Sequence, residues 1–253
     1  MTREPLSVVV TTYNNAATLA RCLASVDFAE ERLVLDSGST DGTEAIAREH
    51  GAQWHVEPFK GYGPQKQSAV AKATHRWVLL LDADECVPPD CRVAIERALQ
   101  QPAVAGFRIP RREQVFWRLA HPGVRHARML RLFDRGRVRF SSDAVHAAPL
   151  VDGPEGRIEE AFVHHGEPDI RTKVQKINAY SSGMVADKAA QGYAFVRTRM
   201  LLQPPLQFLR SYLVNRKFLS GWAGFIGSVT EAYYVFLKYA KLYESRQQRR
   251  DAQ

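Results

Sequence analysis

Cysteine is scarce in this 253-residue chain, and what little there is excludes two classes of protein. Cys22, Cys86 and Cys91 make an odd count with no C-x-x-C pair, so neither a disulfide framework nor a zinc site is indicated. Glycine occurs 16 times but never in the G-x-G-x-x-G or Walker arrangement, which disfavours dinucleotide and P-loop binding. No uncharged apolar run reaches the length of about 18 residues that a spanning helix needs. The opening M-T-R-E-P-L runs into a strand pattern without a signal-peptide apolar region, so a cytoplasmic protein is expected. Internal repeats and low-complexity segments are absent. Acids almost vanish between Phe107 and Phe140, where ten arginines meet only Glu113 and Asp134.

What is present begins with charge. The chain carries 35 lysines and arginines against 27 acids, giving a formal net charge of +8 and an isoelectric point near 9.5. Such an excess favours an anionic partner: nucleic acid, a phosphorylated substrate or an acidic membrane surface. Nucleic acid is disfavoured, because no binding motif accompanies the charge. The length suffices for one large domain, or for one domain with an elaboration.

The most informative stretch is Trp77 to Glu85, W-V-L-L-L-D-A-D-E. A short apolar run bounded by polar residues reads as a strand buried on both faces of a parallel sheet. It ends in Asp82 and Asp84, where carboxylates at i and i+2 leave the strand on one side and can face a single hard cation. In open α/β sheets, ligands bind beyond the carboxyl ends of the strands. The pair therefore suggests a metal-bridged nucleotide diphosphate, with a solvated Asp-rich turn as the plainer alternative.

Upstream, the first hundred residues alternate strand and helix patterns. Strands are expected at Leu6 to Val10, Arg32 to Leu35, Ala52 to Val56 and Trp77 to Leu81. Asn15 is the expected cap of a helix reaching about Val26. Asp41 and Glu44 stand at capping-box spacing, and Gly51 closes their helix. Pro64 is expected at the start of the next helix. One more helix follows Pro88-Pro89, to about Gln100. This alternation argues a doubly wound, mostly parallel sheet. Residues 103 to 163 then read as short strands and loops. From Ile170 the pattern is helical to the end, with Pro204-Pro205 separating two helical stretches.

Four motifs now stand in order: T-T-Y-N-N at 11 to 15, D-S-G-S-T-D-G-T at 36 to 43, G-x-x-x-Q-K at 61 to 66, and W-V-L-L-L-D-A-D-E. Together they resemble the family 2 glycosyltransferases of GT-A fold, and within them the bacterial β-glycosyltransferases that extend the lipopolysaccharide inner core. The match is strong over residues 6 to 87 and continues more weakly through V-H at 145, K-I-N-A-Y-S at 176 and G-F-I-G-S at 224. The resemblance implies an α/β GT-A domain over residues 1–168, with a nucleotide-binding half at 1–100 and an acceptor half at 101–168, and a helical region at 169–253. It implies that Thr12, Tyr13 and Asn14 line the nucleotide pocket and that Asp36 holds the base. Lys66 would lie beside the base or diphosphate. Asp82 would contact ribose or metal, and Asp84 would bind Mg²⁺ or Mn²⁺. His164, from the pair His164-His165, is the expected histidine beside the metal, since neighbours on a strand point to opposite faces.

The expected activity is inverting, metal-dependent transfer of a hexose, glucose from UDP-glucose, to a lipid-linked saccharide such as the lipopolysaccharide core. The family pattern places Glu after V-H, where this chain has Ala147, so the acceptor base falls to Asp143 or His146, with Glu85 next in line. The C-terminal mixture of apolar, aromatic and lysine residues suits an interfacial helix, hence peripheral attachment to an anionic inner-membrane surface through residues near 200 to 243. Three other functions stay open: a polyprenyl-phosphate glycosyltransferase, a sugar nucleotidyltransferase, and a catalytically inactive module that binds nucleotide sugars or glycolipids. The second lacks its expected glycine-rich loop here. The sequence leaves the oligomeric state open.

Overall fold

The computed structural model describes residues 3–140, 148–166, 168–190 and 193–251. Contacts within the chain define two units, one of Met1–Arg112 with Ala127–Gly166, the other of Glu113–His126 with Glu167–Gln253. The first part of the chain runs β1 (Leu6–Thr12), α1 (Leu19–Ala24), β2 (Glu31–Asp36), α2 (Thr43–Glu49), β3 (Gln53–Val56), α3 (Tyr62–Ala71) and β4 (Trp77–Asp82). There follow β5 (Glu85–Cys86), α4 (Pro89–Ala98), β6 (Gly106–Val115), β7 (Arg118–Leu119), β8 (Ala127–Asp134), β9 (Val138–Phe140), β10 (Pro149–Val151), β11 (Glu155–Arg157) and β12 (Phe162–His164). Three helices close the chain: α5 (Ile170–Ala190), α6 (Val196–Leu209) and α7 (Gly221–Asp251).

In the first unit the main sheet has the order β3-β2-β1-β4-β8-β6-β12-β5. Its first four strands are parallel, and the central β1 and β4 carry the near-continuous apolar runs that burial on both faces requires, while β3 at the edge is partly exposed. Successive residues serve opposite faces: Val8, Val10, Leu79 and Leu81 enter one core, and Val9, Val78 and Leu80 the other. Beyond β4 the direction reverses, with β8 antiparallel to β4 and β6 antiparallel to β8. That reversal is where the strand–helix alternation fails in sequence. The α/β fold with helices at the C-terminal end is the one expected.

Local differences from expectation have physical causes. The α1 helix starts at Leu19, because the Asn15 carbonyl first accepts the Thr18 and Leu19 amides at 3.1 and 3.0 Å in a preceding turn. The capping box does not form: Glu44 engages Arg48 at 2.7 Å, while Asp41 accepts the Thr43 amide at 3.0 Å. Pro64 sits at the third position of α3 rather than the first, still within the turn where an N–H has no helical partner. In the second unit, Pro204 and Pro205 lie inside α6 and do not divide it. Their fixed φ suits a helix, and the chain breaks its α-pattern only afterwards, in a π-turn at Arg210–Val214.

Candidate active site

Parallel register brings the ends of three strands to one sheet edge. Thr12 pairs with Asp36 and Thr11 with Asp82, so residues far apart in sequence emerge together. A cleft of about 550 Å³ opens there, lined among others by Thr12, Tyr13, Lys66, Asp82 and Asp84. Clefts of about 300–1,000 Å³ are the size that holds small-molecule ligands.

Asp82 is held from two sides. Lys66 Nζ lies 2.7 Å from its Oδ1, and Arg131 Nη2 lies 3.0 Å from its Oδ2. Burial opposes its ionisation, but Lys66 and Arg131 outweigh burial and hold the carboxyl well below the usual carboxylate range. Arg131 is itself only 2 % exposed and reaches Glu85 Oε1 at 2.6 Å. Glu85 is fully buried, and its other oxygen accepts the Asp82 amide at 3.0 Å. Burial pushes the Glu85 carboxyl up, against the pull of Arg131. Glu85 thus braces the turn after β4, and the burial that suits it to that task keeps it away from an acceptor hydroxyl.

Asp84 takes a different partner. Its Oδ2 lies 3.2 Å from His164 Nε2, and its carbonyl accepts the His165 amide at 2.8 Å. β12 pairs antiparallel with β5, His164 opposite Glu85, which sets the His164 ring beside Asp84. A Cβ at Gly166 would collide with that ring, so glycine there leaves the imidazole its place. His165 turns to Cys86, with its Nε2 3.4 Å from the thiol sulfur, and burial first, then Arg21, pushes its pKa down.

One carboxylate and one imidazole converging at 3.2 Å would supply two ligands to a divalent cation, the carboxylate suiting Mg²⁺ or Mn²⁺ and the imidazole a borderline metal, with other positions left to phosphate oxygens and water. Among the described residues no group of three or more His, Cys, Asp or Glu is arranged to hold a metal. Both Asp82 oxygens face cationic side chains, so the pair D-x-D divides into a carboxylate engaged by Lys66 and Arg131 and one beside His164.

Thr12 Oγ1 is buried without a partner among the described residues, the kind of atom a ligand satisfies. Tyr13 is 57 % exposed at the cleft. Asn14 and Asp36 are not among its lining residues. Asn14 adopts φ 52° and accepts the Thr40 amide at 2.9 Å through Oδ1. The Asp36 carboxylate closes its own turn by accepting the Gly38 and Ser39 amides, each at 2.7 Å. Both shape the wall through the loop they hold. Asp143 and His146 lie outside the described residues.

Sequence reasoning passed over Phe59 and Tyr62, exposed on the cleft with ring centroids 5.2 Å apart, edge to face. Two aromatics in a Gly- and Pro-rich loop beside the Q-K motif were the available signal. Arg131 offered none, since its partner Glu85 lies 46 positions away.

The cleft thus lies beyond the ends of the parallel strands of an α/β unit, with Lys66, Asp82 and Asp84 among its lining residues and His164 beside Asp84. The sequence matches the model of Glycosyl transferase family 2 over residues 7–148, more than half of the chain, and the chain belongs to that family. It is 32% identical over 249 residues to the lipopolysaccharide core biosynthesis glycosyltransferase LpsC of Rhizobium meliloti (strain 1021), covering 95% of this chain and 92% of that one. It is 30% identical over 262 residues to an uncharacterized glycosyltransferase of Rickettsia felis, covering 96% and 90%. Among solved structures, glucosyl-3-phosphoglycerate synthase from Mycobacterium tuberculosis, in complex with Mn²⁺, UDP and glucosyl-3-phosphoglycerate, is similar over 44% of each chain, at 24% identity and a TM-score of 0.37. A likeness that partial carries no weight for function.

Proposed function

We propose that the protein transfers a hexose, glucose from UDP-glucose, with inversion to a lipid-linked saccharide of the lipopolysaccharide-core type. One observation carries the reading: Lys66, Asp82 and Asp84 line one cleft, with His164 3.2 Å from Asp84, in a chain of the glycosyl transferase family 2. The acceptor class rests on likeness over nearly the whole length to a protein named for lipopolysaccharide core biosynthesis.

Each side chain has a task in this reading. Phe59, Tyr62 and Tyr13 offer rings to the base, and Thr12 Oγ1 offers a hydroxyl to the nucleoside. The Asp36 turn holds the wall against which the base sits. Lys66 and Arg131 keep Asp82 ionised, where it accepts ribose hydroxyls. Asp84 and His164 hold Mg²⁺ or Mn²⁺, which when bound neutralises charge on the diphosphate leaving group. An acceptor oxygen forms its bond to the anomeric carbon as the bond to the diphosphate breaks, turning an α linkage into β. The hydroxyl proton passes to Asp143 or His146, since a sugar hydroxyl is too weak an acid to lose it unaided. No described helix is long and apolar enough to cross a membrane, so meeting a lipid-linked acceptor calls for peripheral attachment to an anionic surface at the inner face of the inner membrane.

A panel of nucleotide sugars, read by mass spectrometry on lipopolysaccharide-core and polyprenyl-phosphate acceptors, tests this. Hexose added to the core acceptor from UDP-glucose is the expected result. Addition to the phosphate acceptor alone would favour a polyprenyl-phosphate enzyme, and no turnover with any donor, alongside intact nucleotide binding, would favour a binding module. Asp143→Asn and His146→Ala separate the candidate bases: one should lose kcat by about 10²-fold while UDP affinity holds.

A further inference from the structure

The second unit holds a cavity that glycosyl transfer does not use. It has a volume of about 700 Å³ and lies where the start of α6 meets the end of α7, lined by Arg197, Arg246, Arg249 and Arg250 with Phe195 and Tyr243. No carboxylate is among its lining residues. Arg197 is steadied by the Tyr243 hydroxyl at 2.9 Å, and Arg246 by the Tyr193 carbonyl at 2.6 Å. Arg249 and Arg250 are both exposed. Four guanidinium groups around one opening suit a phosphate, which they bind through paired N–H donors.

The helix leading away from this cavity has an apolar stripe that faces water. Leu202, Leu206 and Leu209 form it along α6, and Leu213 follows in the π-turn beyond. Those four leucines are 57%, 61%, 47% and 53% exposed. The opposite side of α6 is already covered: Val196 and Met200 pack with Tyr239 and Leu242, and the Tyr239 hydroxyl donates to Gln203 Oε1 at 2.9 Å. The leucine stripe is therefore surplus to folding. Trp222 nearby in the same unit is 75% exposed. Phe195, at the mouth of the cavity, is 79% exposed in a left-handed conformation at φ 55°, a costly arrangement for a bulky side chain.

Charge selects the occupant. Residues 193 to 230 hold four arginines and Lys217 without a single Asp or Glu. A protein partner or a second copy of the chain would need acids to meet that segment, whereas an anionic bilayer supplies phosphate at the depth of the arginines and acyl chains at the depth of the leucines. We infer that the α6–α7 cavity is a headgroup site for an anionic phospholipid, with the phosphate among Arg197, Arg246, Arg249 and Arg250 and the leucine stripe of α6 lying in the acyl boundary. This deepens the reading of a lipid-linked acceptor by naming the surface that brings the enzyme to it.

The test is co-sedimentation of the full chain with vesicles of phosphatidylglycerol and phosphatidylcholine, and of phosphatidylcholine alone, with UDP binding measured in parallel. The protein should bind the anionic vesicles and not the neutral ones. Arg249→Glu with Arg250→Glu, and separately Leu202→Ser with Leu206→Ser, should each weaken binding at least about tenfold, with UDP affinity unchanged. UDP binding without vesicle binding would overturn the lipid site and leave the proposed function standing. Retained vesicle binding in both double variants would overturn the assignment to this cavity. Saturation of the site by inorganic phosphate, without vesicle binding, would make the ligand a soluble phosphate. Dimers that fall apart on Leu202→Ser with Leu206→Ser would make the stripe an interface between copies.

Discussion

Arg131 balances the charges beneath the cleft. It is buried between Asp82 and Glu85, so its removal leaves Asp82 to Lys66 and the buried Glu85 to the more distant Arg111 at 3.9 Å. Breaking such a pair typically costs about 3–5 kcal/mol, because the surviving charge stays desolvated. Arg131→Ala should therefore lower unfolding stability in urea by about that amount, and adding Glu85→Gln should recover part of it by removing the weakly paired charge. If Arg131→Ala were as stable as the parent, the pair would not be what braces this turn. The arginine was not legible in sequence, because R-M-L-R-L-F-D alternates like a half-exposed strand and gives no hint that its second arginine is enclosed. That Asp82, Asp84 and Lys66 lie together at one cleft follows from motifs plain in sequence, but the division of the two aspartates between different partners does not.

At the scale of elements, the parallel half could be read because β1, β2 and β4 carry short apolar runs between turn residues and alternate with helix patterns. The antiparallel half could not. β8 inserts between β4 and β6 by a non-local pairing that local pattern does not encode, and it admits β6 only through close approach at Gly106. A Cβ there would stand 2.9 Å from Leu130 Cδ1 and 3.1 Å from the Leu132 carbonyl oxygen. The backbone oxygen cannot yield as a side chain would, so Gly106→Ala should cost about 1–3 kcal/mol. An unchanged thermal midpoint would refute the tight approach.

In α7, Glu231 joins Lys217 and accepts the Ser211 hydroxyl at 2.6 Å. Burial opposes its ionisation, but Lys217 and Ser211 outweigh burial and bring its pKa below the ordinary 4.5. A carboxyl depressed on folding stabilises fully above the unfolded pKa, and that contribution fades as pH falls through the folded value. The parent protein should thus lose stability below about pH 4.5 more steeply than Glu231→Gln, followed by tryptophan fluorescence in urea. Parallel pH profiles would remove the ion pair from the account.

For the whole molecule, composition read alone said only that the partner is anionic. The order of four motifs did far more, because together they dictate which strand ends meet at one edge. What stayed out of reach was the second unit's arginine cavity, since its arginines come from the start of α6 and the end of α7, far apart in sequence; residues near 200 to 243 read as interfacial, but not which side of α6 is exposed. The account's central claim is that the cleft at Asp84 transfers a hexose with the help of a divalent cation. The most direct measurement compares hexose transfer from UDP-glucose to a lipid-linked core acceptor by the parent and by Asp84→Ala, with Mn²⁺ and with chelator, read by mass spectrometry. The prediction is product from the parent with Mn²⁺ only, and none from a folded Asp84→Ala protein under either condition. Near-normal transfer by Asp84→Ala in chelator would contradict it.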